Sequence, residues 1–201
     1  MTVGIIDYGC GNLFSLASSF RRVGASVTVT SNKTELFKCD KVVLPGVGAF
    51  AAAMQKLAAA GLVDAVKDIA RATPLLGICL GMQLLFDKSY EFGETCGLGL
   101  ISGDVVPLDV GAAGLKVPQM GWNGLKIDKA CELFKYTHDG DHVYFVHSFH
   151  ATDCADSVVA TVDYGGSVTA AVAAGHVFGT QFHPEKSGEV GLGILRAFTE
   201  I

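Results

Sequence analysis

The sequence predicts an α/β fold, namely a doubly wound, mostly parallel sheet with antiparallel additions in the second half of the chain. In the first half, short apolar runs alternate with segments of helical periodicity. Parallel neighbouring strands need such crossover helices, which then cover both faces of the sheet. From residue 97 to residue 182 the pattern changes to short strand-like runs separated by turn residues, which favours antiparallel pairing.

Apolar, β-branched residues mark four strands in the first half, at residues 3–7, 27–30, 42–44 and 75–78. Helical spacing follows the first strand until Gly24. A long Ala-rich helical segment, residues 50–72, follows the third strand and is interrupted near Gly61. A helix over residues 80–86 follows the fourth strand.

The second half carries further strand-like runs and one last helix. The runs comprise residues 99–106, 125–127, 142–149, 158–164, 168–173 and 177–182. The last helix, about residues 190–199, presents Leu192, Leu195 and Phe198 on one face. Since no linker divides the chain, we expect residues 1–201 to form a single domain.

Charge and composition exclude several classes of function. The net charge of −5, with basic residues spread along the chain, gives no footprint for nucleic acid. No apolar run approaches the ~18 residues that span a bilayer, and no export signal is recognisable. Six cysteines without a Cys-x-x-Cys pair indicate reduced thiols, so we expect a cytoplasmic protein without a membrane or nucleic-acid partner.

The segment Gly77-Ile78-Cys79-Leu80-Gly81 lies between an apolar strand and a helix. It matches a nucleophile elbow, in which glycines flank the nucleophile because the tight turn leaves no room for side chains. The positive end of the following helix favours the thiolate of Cys79, and the N–H of Leu80 points to where an oxyanion would form. The alternative interpretation is a small buried cysteine in a turn.

The segment His183-Pro184-Glu185 follows the last predicted strand. A cysteine nucleophile needs a base near its sulfur and a third group that orients the base. His183 and Glu185 can supply both from one loop at the carboxyl end of a strand, where open α/β sheets place their sites. Alone, the segment could equally be a surface turn; together with the elbow it predicts a Cys-His-Glu triad.

The segment Pro45-Gly46-Val47-Gly48 also follows a strand. Glycines on both sides of Val47 allow its N–H to turn inward as a second oxyanion donor. The alternative is an ordinary turn between a strand and a helix.

These segments resemble the class I glutamine amidotransferases, with Gly-Ile-Cys79-Leu-Gly-Met-Gln83-Leu-Leu-Phe and Gln-Phe-His183-Pro-Glu185 as the matching motifs. Within them, the chain resembles the glutaminase subunits of imidazole glycerol phosphate synthase, over its whole length. The additional matching segments are Asp7 to Leu13, Pro45 to Phe50, Lys116 to Asn123, Tyr144 to Phe149 and Pro184 to Ser187.

The resemblance implies a mechanism for L-glutamine hydrolysis. Cys79 attacks the side-chain amide, His183 moves protons and Glu185 orients His183. The oxyanion donors are then the N–H groups of Val47 and Leu80. The family's glutamine contacts fall on Gly48, Gln83, Ser148 and Phe149.

The resemblance also implies a partner. In the family, ammonia passes to a (β/α)₈-barrel cyclase subunit in a heterodimer, which makes imidazole glycerol phosphate and the aminoimidazole carboxamide ribotide by-product in histidine biosynthesis. The residues matching the interface are Met120, Trp122, Tyr144 and Lys186. The sequence departs from the family at Gln119, where histidine is usual, and this puts only that contact in doubt.

Competing interpretations stay open at this point. The glutaminase subunit of pyridoxal phosphate synthase also serves a barrel partner, and a cysteine peptidase or esterase could use the same elbow. A protein that kept the fold for interaction alone is disfavoured by the intact triad. A dinucleotide site is disfavoured because Phe14 stands where a third glycine is required, and the histidines lack metal-ligand spacing, so we expect no cofactor and no metal ion.

Overall fold

The computed structural model describes the backbone of residues 1–201 and every side chain except that of Ala112. A large mixed sheet is flanked by helices on both faces and by a second, smaller sheet. The helices and strands are β1 Thr2–Ile6, α1 Leu13–Arg22, β2 Ser26–Thr30, α2 Lys33–Leu36, β3 Lys41–Leu44, α3 Phe50–Ala59, α4 Val63–Ala72, β4 Leu75–Ile78, α5 Leu80–Gln83, β5 Lys88–Ser89, β6 Thr95–Cys96, β7 Asp104–Pro107, β8 Gln119–Ile127, β9 His142–His147, β10 Phe149–Thr152, β11 Val158–Asp163, β12 Ser167–Ala174, β13 Val177–Thr180 and α6 Gly188–Glu200.

The large sheet has the strand order β2-β1-β3-β4-β13-β12-β11-β8-β9. Its first five strands are parallel, and the pairs from β13 to β9 are antiparallel. This confirms the α/β class and the antiparallel additions in the second half. Because β3, β4 and β13 are adjacent and parallel, the three loops that leave their carboxyl ends meet at one edge. These loops carry the three motifs predicted to form the site.

Two apolar clusters fill the two faces of the large sheet. One cluster packs α1 and α6 against it, and the rings of Phe20 and Phe178 each meet Phe198 edge-on at 6.3 Å. The other packs α3 and α4 on the opposite face, with Leu57 and Ile69 almost inaccessible to solvent. Burial on both faces explains why the central strands read as continuous apolar runs.

The second sheet has the order β10-β7-β5-β6. Strand β9 of the large sheet leads into β10 of the second sheet through a bend at Ser148. The chain therefore passes from one sheet to the other within the segment that contains two predicted glutamine contacts, Ser148 and Phe149. Across the described residues, no helix is long and apolar enough to cross a membrane.

Some predicted bounds are wrong, for local reasons. The helix predicted over residues 80–86 ends at Gln83, because the N–H groups of Leu85 and Phe86 bond the carbonyls three residues back, at Met82 and Gln83, instead of four. The strand predicted from residue 99 begins only at Asp104. The helix α2 escaped prediction, although the side chain of Asn32 caps it by accepting from the N–H of Thr34.

Candidate active site

A pocket of ≈ 410 Å³ opens where the loops after β3, β4 and β13 meet. The predicted site residues that line it are Val47, Gly48, Cys79, Leu80, Gln83, Ser148, Phe149, His183 and Lys186. Glu185 lies behind the imidazole of His183 rather than on the pocket wall. Met120, Trp122 and Tyr144 lie outside the pocket, on β8 and β9, the last two strands of the large sheet.

Cys79 occupies the turn between β4 and α5 with φ 55° and ψ −112°. A positive φ is rare for a residue with a side chain, and such strain costs about 1–3 kcal/mol. The flanking glycines are sterically required: a Cβ on Gly77 would lie 2.6 Å from the carbonyl oxygen of Gly81, and a Cβ on Gly81 would overlap the carbonyl of Leu44. The geometry is that of the nucleophile elbow predicted from the sequence.

His183 is held by its neighbours on both sides. Its Nδ1 lies 2.8 Å from Oε1 of Glu185, and the two side chains are only 3% and 4% exposed. The N–H of His183 donates to the carbonyl of Tyr144 at 2.9 Å, and Oγ of Ser187 donates to the carbonyl of His183 at 2.7 Å. The imidazole is therefore fixed in position as well as oriented.

The environment of His183 favours its protonated form. Burial acts to lower the pKa of His183, but the neighbouring Cys79 sulfur and the Glu185 carboxylate together raise it to about 9. Within the described part of the chain, its Nε2 is buried and has no partner that meets the limits of a hydrogen bond. Since Nδ1 faces Glu185, Nε2 is the nitrogen that can exchange a proton with a group bound at Cys79.

The loop at residues 45–48 is half fixed and half exposed. Pro45 and Gly46 are buried: the Tyr8 hydroxyl donates to the Pro45 carbonyl at 2.7 Å, and a Cβ on Gly46 would lie 2.6 Å from the N atom of Gly81. Val47 is 46% exposed, and Gly48 has φ 96°. The loop is thus packed against the elbow at one end and borders the pocket at the other.

Gln83 and Gln181 connect the elbow to the opposite wall. Nε2 of Gln83 lies 2.9 Å from the carbonyl of Phe149 and 3.0 Å from Oε1 of Gln181. Nε2 of Gln181 in turn lies 3.8 Å from Sγ of Cys79. Both N–H groups of Gln83 are therefore engaged, so its Oε1 is the atom that can accept from a ligand.

Several pocket residues escaped prediction from the sequence, notably Glu91 and Phe92 in the turn between β5 and β6. The Glu91 carboxylate accepts from the N–H of Phe50 at the start of α3, and Phe92 is 92% exposed with its ring 6.5 Å from that of Phe149. No motif surrounds them.

The predicted interface residues form a cluster next to the triad, which we call the Trp122 cluster. The Trp122 and Tyr144 rings meet edge-on at 4.8 Å, and Nζ of Lys186 lies 5.6 Å from the centre of the Tyr144 ring. Trp122 is 61% exposed, and Met120 beside it is also exposed. Lys186 follows Glu185 directly, so the cluster is one residue from the triad.

Comparison with known proteins agrees with the motifs. The family model "Glutamine amidotransferase class-I" matches residues 4–200. The subunit HisH of imidazole glycerol phosphate synthase from Bacillus cereus (strain B4264) is 49% identical over 98% of this chain and 93% of its own length. HisH from Wolinella succinogenes is 46% identical over 99% of both chains.

Solved structures show the same fold. The crystal structure of one glutamine amidotransferase superposes with a TM-score of 0.76 at 20% identity, covering 98% of this chain and 97% of its own. A glutamine amidotransferase from Thermotoga maritima superposes with a TM-score of 0.70 at 16% identity, covering 100% and 96%. Given a family match over residues 4–200 and near-50% identity over almost the whole length, the chain belongs to the class-I glutamine amidotransferases, in the family of HisH subunits.

Proposed function

We propose that the chain is the glutaminase subunit of imidazole glycerol phosphate synthase, with Cys79, His183 and Glu185 as its catalytic triad. The observation that carries the proposal is the buried His183–Glu185 pair beside Cys79, in the strained turn of an elbow at the base of a pocket. An oriented base next to a cysteine nucleophile is the arrangement that acyl transfer requires.

In the first half of the reaction, the Cys79 thiolate attacks the side-chain amide carbon of glutamine and forms a tetrahedral intermediate. When the C–N bond breaks, protonated His183 gives its Nε2 proton to the leaving nitrogen, which departs as ammonia. A glutamyl thioester on Cys79 remains. The raised pKa of His183 supports this role, because the imidazole then carries the proton at neutral pH.

In the second half, His183 accepts a proton from water as the water oxygen attacks the thioester carbon. The C–S bond breaks, glutamate leaves, and Cys79 returns to its thiolate. The sum is glutamine plus water giving glutamate plus ammonia. Glu185 accepts from Nδ1–H of His183, so that Nε2 faces the reacting atoms in both steps.

Two loops are placed to hold the oxyanion of each tetrahedral intermediate. The N–H of Leu80 belongs to the first turn after the nucleophile, and Val47 and Gly48 border the same pocket. The close packing of Gly46 against Gly81 supports a donor from Val47, since it keeps the two loops in register.

Glutamine has a charged head that needs partners of opposite sign. We assign the Glu91 carboxylate, on the pocket wall, to the α-ammonium group, and Oε1 of Gln83 to an N–H of the substrate. Gly48 and the backbone at Ser148 and Phe149 complete the wall around this head. The pocket of ≈ 410 Å³ is ample for one free amino acid.

The partner in this proposal is a (β/α)₈-barrel cyclase subunit, bound as a heterodimer over the Trp122 cluster. An exposed tryptophan with a neighbouring tyrosine and lysine is typical of an interface anchor. The ammonia then reaches the cyclase, which makes imidazole glycerol phosphate for histidine biosynthesis.

The test compares Cys79→Ala with Cys10→Ala, a matched control in which a half-buried thiol outside the pocket is removed. We expect Cys79→Ala to release no glutamate from glutamine, while its complex with the cyclase still uses added ammonium. Cys10→Ala should keep glutaminase activity. Glutamate release by Cys79→Ala at the parent rate would overturn the assignment of the nucleophile.

A further inference from the structure

Gln119 lies in a buried chain of polar side chains behind the pocket wall. In the structure its Oε1 lies 3.0 Å from Nε2 of His147, and its Nε2 lies 3.0 Å from Oδ1 of Asn123. Nδ1 of His147 lies 2.9 Å from the carbonyl oxygen of Phe149. Gln119 is fully buried and His147 nearly so.

Counting donors and acceptors fixes the protons in this chain. The carbonyl of Phe149 can only accept, so Nδ1 of His147 must carry a proton. Burial lowers the pKa of His147 to about 4, so the ring is neutral and its Nε2 is a bare acceptor. Nε2 then needs a donor, and the side-chain amide of Gln119 is the group within reach, although it presents Oε1 to the ring in the structure.

This proton count assigns the orientation of two amides. Turning both amides over from their placement in the structure lets the NH₂ of Gln119 donate to Nε2 of His147 and its carbonyl oxygen accept from the NH₂ of Asn123. Side-chain amide oxygen and nitrogen have nearly the same shape, so the hydrogen-bond network decides between them. The orientation in the structure sets the Gln119 carbonyl against an unprotonated Nε2, which leaves two buried acceptors in contact.

The carbonyl at the end of this chain is part of the pocket wall. Phe149 accepts from two sides: from Nε2 of Gln83, behind the elbow, and from Nδ1 of His147. Between His147 and Phe149 lies the bend at Ser148, where the backbone passes between the two sheets. Gln119 lies on β8, next to Met120 of the exposed edge, so the wall is also held from the proposed partner face.

We propose that Gln119 is a positioning residue for glutamine: by donating to Nε2 of His147, it holds that ring as the Nδ1–H tautomer and fixes the Ser148–Phe149 backbone against the substrate. The proposal rests on the glutaminase function proposed above for the pocket. Gln119 touches no substrate and acts through His147.

The first test reads the tautomer directly, without turnover. The parent chain is labelled with ¹⁵N-histidine, and a long-range ¹H–¹⁵N correlation spectrum is recorded at neutral pH. The spectrum should show a neutral His147 with its proton on Nδ1. The His147 signals are assigned as those that are missing from the spectrum of His147→Asn. An Nε2–H tautomer or an imidazolium would overturn the proposal. Because the spectrum needs no substrate, its result is independent of whether Cys79 is the nucleophile.

The second test measures glutamine kinetics in the complex with the cyclase. Gln119→Met removes the donor and leaves Nε2 of His147 buried without a partner. We expect the KM for glutamine to rise by about three- to thirtyfold, with a smaller change in kcat. Gln119→His restores a side-chain donor and should stay within about threefold of the parent. Activity with added ammonium should be unchanged in both variants.

If Gln119→Met folds and its KM for glutamine equals that of the parent chain, the positioning role is overturned. If Gln119→Met does not fold, the pair His147→Asn and His147→Ala replaces it. Asparagine carries an N–H close to the position of Nδ1, so His147→Asn should keep KM nearer to the parent value than His147→Ala does. Equal KM values in the two variants would contradict the proposal.

Discussion

The hydroxyl of Tyr8 donates a 2.7 Å hydrogen bond to the carbonyl of Pro45, and this bond joins the loop after β1 to the proposed oxyanion loop. Tyr8 is buried, so Tyr8→Phe leaves a buried carbonyl without its donor. We expect the free energy of unfolding to fall by about 1–2 kcal/mol, and kcat for glutamine to fall while activity with ammonium persists. Urea unfolding and paired assays with the two nitrogen sources measure this.

Tyr136→Phe is the matched control for Tyr8→Phe. The hydroxyl of Tyr136 bonds the carboxylate of Glu200 at 2.6 Å, but at an exposed position away from the pocket. Its loss should change stability less and leave glutaminase activity unchanged. Equal effects of the two substitutions on glutamine turnover would show that the Tyr8–Pro45 bond has no special role.

Glu185→Gln keeps the shape of the side chain but removes its charge, so the pKa of His183 should fall from about 9. Because that pKa is raised above 6.5, His183 contributes stability that is fully present below pH 6.5 and is lost as the pH rises through about 9. In Glu185→Gln this loss should be smaller and should be complete at lower pH. An NMR titration of His183 and urea unfolding from about pH 6 to 9 measure both effects.

Glutaminase activity of Glu185→Gln should fall by about 10²- to 10⁴-fold, less than in Cys79→Ala. Glu189→Gln is the control, since Glu189 is exposed and pairs with Arg22 outside the triad. If Glu185→Gln kept both the parent titration of His183 and the parent rate, another group would have to orient the imidazole.

Gly81→Ala should destabilise the chain by about 3 kcal/mol and abolish glutamine turnover, because the added Cβ would overlap the backbone carbonyl of Leu44. Neither backbone can retreat without moving Cys79 or the loop after β3. Gly193→Ala, within α6, is the control: its Cβ would meet only Tyr136 at 3.4 Å, and helix propensity favours alanine by up to ~1 kcal/mol. Thermal unfolding of both variants gives the comparison, and similar losses in both would contradict this steric account.

Trp122→Ala and Lys186→Ala should weaken the cyclase-stimulated release of glutamate by about tenfold each, through lost partner contact, while the folded chain keeps its stability. Phe37→Ala is the control: Phe37 is 51% exposed but follows α2, which packs on β1 and β2 at the opposite edge of the large sheet. Glutamate release with and without cyclase and its substrate, for all three variants, is the measurement. Unchanged stimulation in Trp122→Ala and Lys186→Ala would place the partner on another face.

The parallel half of the fold could be predicted because its inner strands are buried on both faces and its helices have a regular apolar period. The second sheet could not, since β5 and β6 contain two residues each and show no periodicity. The end of α5 was also inaccessible to prediction, because residues 84–86 are held in tight turns by the 97–101 loop, which is distant in sequence and bonds their carbonyls. That residues 1–201 form one domain stays a prediction.

The site was predictable where chemistry imposes a local spacing. Cys79 needs flanking glycines, and the acid that pairs with His183 stands only two residues after it, so both leave motifs. Glu91 and His147 line the same pocket through contacts that are distant in sequence, such as His147 with Gln119, and these leave no local pattern. The catalytic and binding roles of all these residues stay predictions until the variants are measured.

The chain contains a single tryptophan, Trp122, which lies largely in water with its ring 4.8 Å from that of Tyr144. Its fluorescence therefore comes from one place, the proposed partner face. Removal of water from an indole ring shifts its emission to shorter wavelengths, and Tyr144 is close enough to transfer excitation to it. With a tryptophan-free cyclase, the emission of the unlabelled glutaminase chain would report assembly in real time and give the association rate separately from catalysis.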